Sequence, residues 1–342
     1  MKLGLVFMTA ANAVLPILLL ILLGFGLRKI GWVNQNFTKT GNKLVFNVFL
    51  PSMLFINVYD IDGISSIKWD VVLFVMAAIC LLFLLAIVIA VSATPVPERR
   101  GVIAQCVYRS NYAIIGMPLA AALGGPEAQA ITAVISAFSI PLYNFFAVLA
   151  LTMFLQGDNG KKRDFKAVLM GILKNPLILA VAAGFVMLGL RQLQANILGD
   201  VVFTLKGNLN FLYKALNNMK SVASPLALVV MCSQFEFSAL KGLFKEIVVG
   251  TVSRVVVAPV VGIGLAVLLT KYTSLLNCGV NEYPALVALY GSPVAVSSAV
   301  MAGQMGNDEQ LATQLVVWTS IFSILTIFLT VCIMMPAGLL AG

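Results

Sequence analysis

Long apolar segments, each close to the length needed to cross a bilayer, recur from one end of this 342-residue chain to the other. A helix rises about 1.5 Å per residue, so roughly 18 or more apolar residues cross the ~30 Å hydrocarbon core. Hydrophobic residues make up 61% of the chain and charged residues 10%, against about 45–50% and about 25% in soluble domains. The sequence therefore predicts an all-α polytopic membrane protein.

Ten transmembrane helices are predicted, in two halves. They cover residues 8–29, 41–58, 70–94, 101–124, 128–156, 176–190, 216–236, 246–270, 281–304 and 309–335. The charged stretch 157–175 reads as a cytoplasmic loop between a first repeat, 1–156, and a second repeat, 176–342. Because each half has an odd number of spans, the two five-helix repeats must cross the membrane in opposite directions. We expect an inverted repeat.

The distribution of Lys and Arg predicts the orientation. The loops after the odd-numbered spans, counted together with the span ends that border them, hold 13 of these residues, and the termini and remaining loops, counted in the same way, hold 7. Positive residues accumulate on the cytoplasmic side, so both termini are predicted outside a multi-pass protein of the cell membrane. The net charge of +9 is therefore explained by the positive residues that set the orientation in the membrane, and no nucleic-acid partner is expected.

Prolines lie at matching places in the two halves. Pro51 in the second span corresponds to Pro225 in the seventh, and Pro118 in the fourth corresponds to Pro293 in the ninth. Helix breaks at corresponding positions of two repeats indicate a transporter site at the bilayer midplane. The simpler interpretation of each proline is a helix kink filled by a neighbouring hydroxyl group.

The fourth span, "GVIAQCVYRSNYAIIGMPLAAALG" (101–124), carries Arg109, Asn111, Gly116 and Pro118. A proline cannot donate to the carbonyl four residues earlier, so Pro118 should free the carbonyl of Ile114. Free backbone groups cannot face lipid and must find protein, water or a ligand. The half-helix N-termini beside such breaks suit an anion, and the freed carbonyls suit a cation.

The ninth span repeats this pattern in "LYGSPVAVSSAVMA". Pro293 should free the carbonyl of Leu289, and Gly291 loosens the same turn. Ser292 offers a hydroxyl beside the break. If the fourth and ninth helices open at one depth and cross, the two breaks form a substrate-binding site, and its candidate residues are Asn111, Gly116, Pro118, Gly291, Ser292 and Pro293.

Four further polar residues lie within predicted spans. An intramembrane arginine usually faces a cavity or a partner, so Arg109 is interpreted as a counter-charge for an anionic substrate, as a latch on freed backbone, or as a side chain that snorkels toward the cytoplasm. Snorkelling is the prediction for Arg254. Asn47, four residues before Pro51, is placed in the cavity, with helix–helix hydrogen bonding as its alternative. The same two interpretations, a position in the cavity and a helix–helix hydrogen bond, apply to Asn144.

Composition also argues against other classes of protein. There is no His, and Cys80, Cys106, Cys232, Cys278 and Cys332 have no metal-ligand spacing, so no cofactor or metal is expected and an enzyme is disfavoured. No carboxylate lies near the centre of a span. Coupling to a proton, to sodium or to no ion stays open. A receptor built on a transporter-like fold and a channel are the alternatives to a carrier.

Several ordered stretches resemble the auxin efflux carrier family. They are "SNYAIIGMPLAAALGGPEAQA", "LYGSPVAVSSAVMAGQMGNDEQLATQLVVWTSIFSILTIFL", "LVFNVFLPSMLFINV", "ILKNPLILAVAAGFVMLGL" and "SVASPLALVVMCSQFEFSALK". The resemblance covers roughly residues 8–335. This chain differs from the plant carriers in having no large central hydrophilic domain, because residues 157–175 are only a short loop.

The resemblance implies a ten-helix fold of two inverted repeats, related to the bile acid–sodium symporters, in which one domain moves like an elevator against a scaffold. It also implies a homodimer. The prediction is a secondary carrier, and the positive charge of Arg109 and the half-helix N-termini favour small organic anions such as carboxylates as its substrates, with a proton or sodium as a possible coupling ion.

Overall fold

The computed structural model describes residues 22–60, 68–155, 174–232 and 240–340, together with Leu15, Leu19 and Leu20. Most of the first predicted span, and residues 157–173 of the predicted loop 157–175, lie outside these residues. The helices that follow residues 22–29 are α1 (Gln35–Tyr59), α2 (Trp69–Ala93), α3 (Pro97–Tyr108), α4 (112–124), α5 (126–153), α6 (Pro176–Leu198), α7 (Leu205–Asn208), α8 (Asn210–Cys232), α9 (240–272), α10 (Glu282–Gly291), α11 (Ser297–Gln304) and α12 (Glu309–Met334).

Local chemistry explains where these helices begin and how they are interrupted. The side chains of Asn175 and Asp308 cap α6 and α12, accepting hydrogen bonds from the free N–H groups of the first turn. Gly125 has φ 69° and ψ −161°, a conformation that favours glycine, and it separates α4 from α5. Single π-helical turns interrupt α1 at Val45–Phe49 and α9 at Ser253–Val257, and a third opens α4.

Six helices of the described residues are long and apolar enough to cross a membrane: Gln35–Tyr59, Trp69–Ala93, Met117–Met153, Pro176–Leu198, Lys241–Tyr272 and Glu309–Met334. They fall on predicted spans. The predicted fourth and ninth spans do not appear in this set as single helices, because each consists of shorter helices on either side of a break. The described residues form an all-helical, multi-pass type of protein, and the ten-span inverted repeat stays a prediction.

The helices pack as two groups. The first group consists of α1, α6 and α8, in which α6 and α8 both pack chiefly against α1. The second, the crossing group, consists of α2–α5 and α9–α12. Each half of the chain contributes to both groups, as an inverted repeat would require.

Polar contacts follow the same division. Within the crossing group, Arg99 of α3 bonds to Glu246 of α9 at 2.9 Å and to Asp308, the N-cap of α12, at 3.0 Å. At the opposite end of the group, Lys68 pairs with Glu282 at 2.5 Å, and this hydrogen bond raises the pKa of the Lys68 ammonium group.

Hydrogen bonds of the first group also stay largely within it. Asp60 accepts from Tyr213 at 3.0 Å, and Arg191 donates to the carbonyl of Tyr59 at 2.7 Å. The Asn42 side chain donates to Glu309 across the boundary. Because most of these strong contacts join helices of one group, each group is internally better fixed than the boundary between them.

Candidate functional site

The fourth and ninth predicted spans break and cross. The chain leaves the helical conformation after Tyr108, and Arg109 is extended at φ −86° and ψ 114°. The chain leaves the helical conformation a second time after Gly291, where Ser292 is extended at φ −63° and ψ 148°. The two extended segments run antiparallel, with Ser110 opposite Val294 and the Asn111 N–H donating to the Pro293 carbonyl at 2.8 Å.

Arg254 holds the carbonyl ends of both half-helices. Its side chain is completely buried. Its guanidinium group donates to the carbonyls of Val107 in α3 and of Leu289, Tyr290 and Ser292 at the end of α10, at 2.8 to 3.2 Å. A cation is favourable at helix C-termini because it satisfies the last carbonyls and opposes their dipole. The snorkelling prediction for Arg254 was wrong.

The carbonyl of Leu289, which Pro293 was expected to free, is therefore satisfied by Arg254. The first break differs from its prediction, because it lies at residues 109–111 and not at Pro118. Pro118 instead follows the π-helical turn Tyr112–Gly116, close to the start of a helix. Pro118 is the second residue of the α-helical part of α4, which begins at Met117, and a proline is tolerated in the first turn of an α-helix.

Arg109 occupies the other side of the crossing and is also buried, 3% exposed. It donates to Gln105 Oε1 at 2.8 Å, to Asn144 Oδ1 at 2.8 Å and to Ser297 Oγ at 2.9 Å, and it contacts the Met301 sulfur. These four partners are uncharged. The side chain does not snorkel, and the backbone-latch role considered for it belongs to Arg254.

A small cavity adjoins Arg109 at the crossing. Its volume is about 40 Å³, room for a few water molecules. The crossing group supplies most of its wall, and one face of α1 closes it. The lining residues are Met53, Leu54, Asn57, Arg109, Ser110, Asn111, Tyr112, Ile140, Tyr143, Asn144, Ala295, Val296 and Ser297.

Three of these lining residues carry a buried polar atom that has no hydrogen-bond partner among the described residues. They are Ser110 Oγ, Asn111 Nδ2 and the Tyr143 hydroxyl, on side chains that are 3 to 5% exposed. Buried polar groups are normally paired, and leaving one unpaired costs about 1–3 kcal/mol. Each of the three can donate a hydrogen bond, so together with Arg109 they form a cavity suited to an anionic or oxygen-rich ligand.

The predicted site residues occupy three kinds of position. Arg109 and Asn111 line the cavity. Gly291 ends α10, and Ser292 and Pro293 lie in the second extended segment. Gly116 is the last residue of the π-helical turn, and Pro118 follows it by two residues. Asn47 is not brought to the cavity: it is exposed and donates to the carbonyl of Lys43 at 2.9 Å. Asn57, ten residues later on α1, takes its place.

Sequence reasoning missed Ser110, Asn57 and Tyr143 as polar lining residues, whereas Ser297 belongs to the hydroxyl groups expected beside the second break. Ser110 lies between Arg109 and Asn111, which were both predicted as site residues, so its position beside them was the available signal. Nothing local distinguishes Asn57 from Asn47, because the face that α1 turns to the crossing depends on its π-helical turn. Asn144 lines the cavity and also accepts a hydrogen bond from Arg109, which lies on another segment, so both of its predicted roles fit its position.

A larger cavity lies elsewhere in the crossing group. Its volume is about 370 Å³, and Val71, Val72 and Ile131 are among its mainly apolar lining residues. Its charged groups are already paired, Lys68 with Glu282 and Asn281 with Glu127. The smaller cavity is the better candidate despite its size, because three of its buried polar groups have no partner among the described residues.

Gly116 is required by the packing of the π-helical turn. A Cβ atom built on Gly116 would overlap the ring of Tyr112, whose hydroxyl is fixed by a hydrogen bond to the Ala285 carbonyl at 3.2 Å. We expect Gly116→Ala to lower the free energy of unfolding by about 1–3 kcal/mol, the cost of overpacking. Thermal unfolding of the detergent-solubilised protein measures the effect. In the control Gly189→Ala, the Cβ meets open space, and an equal loss there would refute the packing argument.

Broken helices that cross inside a multi-pass helical protein are an arrangement typical of secondary transporters. The membrane transport protein family model matches residues 9–331. The chain belongs to this family, that of the auxin efflux carriers, and the resemblance seen in its sequence motifs is confirmed.

Two archaeal proteins illustrate the relationship. An uncharacterized transporter of Methanocaldococcus jannaschii is 25% identical over 332 residues, which cover 94% of this chain and 98% of that protein. An uncharacterized transporter of Methanothermobacter thermautotrophicus is 24% identical over 331 residues, covering 94% and 97%. The chain is a membrane transporter by family.

Proposed function

We propose that this protein is a secondary active carrier that moves small organic anions, such as carboxylates, across the cell membrane, with the cavity at the helix crossing as its substrate site. One observation carries this proposal: a buried arginine with uncharged partners shares a cavity with three unpaired polar groups. A carboxylate would supply the missing charge and accept hydrogen bonds from the same groups.

The position of the cavity supports an elevator-like mechanism. Its wall comes from the crossing group on one side and from α1 on the other. A substrate at this boundary becomes accessible when one group slides against the other. The cavity is too small for an organic acid as it stands, so binding requires such a displacement.

Transport into proteoliposomes tests the proposal. The purified chain is reconstituted, and uptake of radiolabelled pyruvate, benzoate and malate is measured with and without an unlabelled counter-substrate inside. Accumulation that protein-free vesicles do not show, accelerated by the internal anion, supports a carrier. Binding of these acids without any counterflow would contradict it and favour a receptor.

The Asn111 side chain is expected to contact the substrate. Its amide nitrogen is unpaired in the cavity, and its backbone N–H closes the crossing. Asn111→Ala removes the side chain and keeps the backbone bond, so uptake should fall about tenfold or more while the unfolding temperature changes little. Asn47→Ala is the comparison, because Asn47 lies outside the cavity. Equal uptake by the two variants would exclude this cavity as the site.

A further inference from the structure

The cavity has two walls of different origin. Arg109, Asn111 and Tyr143 belong to the crossing group, whereas Met53, Leu54 and Asn57 belong to α1 of the other group. Asn57 lies four residues after Met53 and three after Leu54, and residues three or four apart share a helix face, which explains how these side chains reach the cavity together. Asn57 is the polar member of this α1 face. Its side-chain amide can both donate and accept.

The two walls behave differently if the groups slide. Residues of the crossing group travel with the substrate and surround it in every position. Residues of α1 stay behind. A displacement of one helical turn, about 5.4 Å, already exceeds the ~3 Å reach of a hydrogen bond.

We propose that Asn57 is a specificity-determining residue that contacts the substrate from one side of the membrane only. This inference rests on the proposed carrier function and names the residue that gives the two faces different substrate affinities. α1 is predicted to run from the cytoplasm outward, and Asn57 lies two residues before its end at Tyr59. The contact therefore belongs to the outward-facing arrangement.

The consequence for transport is an asymmetric effect of substitution. Asn57→Ala removes a hydrogen bond to substrate bound from outside and leaves the inward-facing site intact. Loss of one neutral hydrogen bond corresponds to roughly a 2- to 10-fold change in affinity. Asn57 is partly exposed, so the variant should fold, and Asn57→Leu provides a second variant of similar volume.

Tyr143→Phe is the matched control. It removes an unpaired hydroxyl from the same cavity, but on the wall that belongs to the crossing group. Because this wall travels with the substrate, the half-saturating concentration should rise by the same factor on both faces. The control shows that substituting a cavity residue of the crossing group changes the half-saturating concentration at both faces.

The experiment measures transport in both directions through the full chain. Proteoliposomes are sorted by protein orientation, and the half-saturating concentrations of pyruvate, benzoate and malate are determined from each face for wild type and the three variants. The expected result is a 2- to 10-fold increase for both Asn57 variants at the outer face and no change at the inner face.

Symmetric effects of Asn57→Ala, no effect at either face, or an effect at the inner face alone would each overturn the inference. The carrier proposal would survive these outcomes. If the wild-type chain transports none of the three acids, the carrier proposal fails and this inference fails with it, so the two failures are distinguishable.

Discussion

Arg109→Gln should abolish anion binding and transport while leaving the protein folded. The guanidinium group lies beside the cavity, and Gln105, Asn144 and Ser297 hold it in place without a negative charge. Removing one partner of a buried charge pair costs about 2–5 kcal/mol, so affinity for a carboxylate should fall by roughly 30-fold or more. Uptake and equilibrium binding of the labelled acids measure this loss.

The stability of Arg109→Gln shows whether Arg109 serves as a substrate-binding charge or as a structural anchor. Burying an arginine without a counter-charge is unfavourable, and its removal relieves that cost. This relief should offset the lost hydrogen bonds to Gln105 and Asn144, so the unfolding temperature should stay near the wild-type value. Arg109→Lys keeps the charge but not the planar fork of donors, and it should retain weakened binding. A folded Arg109→Gln variant with wild-type affinity would exclude Arg109 from the site.

The sequence predicted the crossing better than it predicted the roles of the charged residues. Matched prolines located both breaks to within about ten residues, because proline changes the backbone of its own helix and needs no knowledge of its neighbours. The position of the first break shifted to residues 109–111 because a π-helical turn accommodates Pro118. Such a turn has no clear signature in a single sequence.

Side-chain roles depend on which helices meet, and this information is not local. Arg109 and Arg254 both lie deep within apolar spans, and the sequence around Arg254 shows no motif. The structure distinguishes them by their partners, which are side chains for Arg109 and backbone carbonyls for Arg254. Those carbonyls lie about 35 or more residues away from Arg254 along the chain, beyond the reach of any helical periodicity.

Arg254→Gln should damage folding instead of substrate recognition. The Arg254 side chain is completely buried and satisfies the carbonyls of Val107, Leu289, Tyr290 and Ser292. Each buried carbonyl left unpaired costs about 1–3 kcal/mol, so the loss of four partners should lower the free energy of unfolding by roughly 4 kcal/mol or more. The unfolding temperature and the yield of monodisperse protein in detergent measure this.

Substitutions of the two arginines are therefore expected to have opposite effects: at Arg109 the protein stays folded and loses anion binding, whereas at Arg254 it loses stability. Arg254→Lys retains a cation at the two helix C-termini, but one ammonium group cannot reach four carbonyls, so it should recover only part of the lost stability. The fraction of Arg254→Lys that folds should bind the labelled acids with nearly wild-type affinity, because Arg254 does not line the cavity. Wild-type stability of Arg254→Gln would mean that water satisfies these carbonyls, and the half-helix ends would then need no side chain to hold them at the crossing.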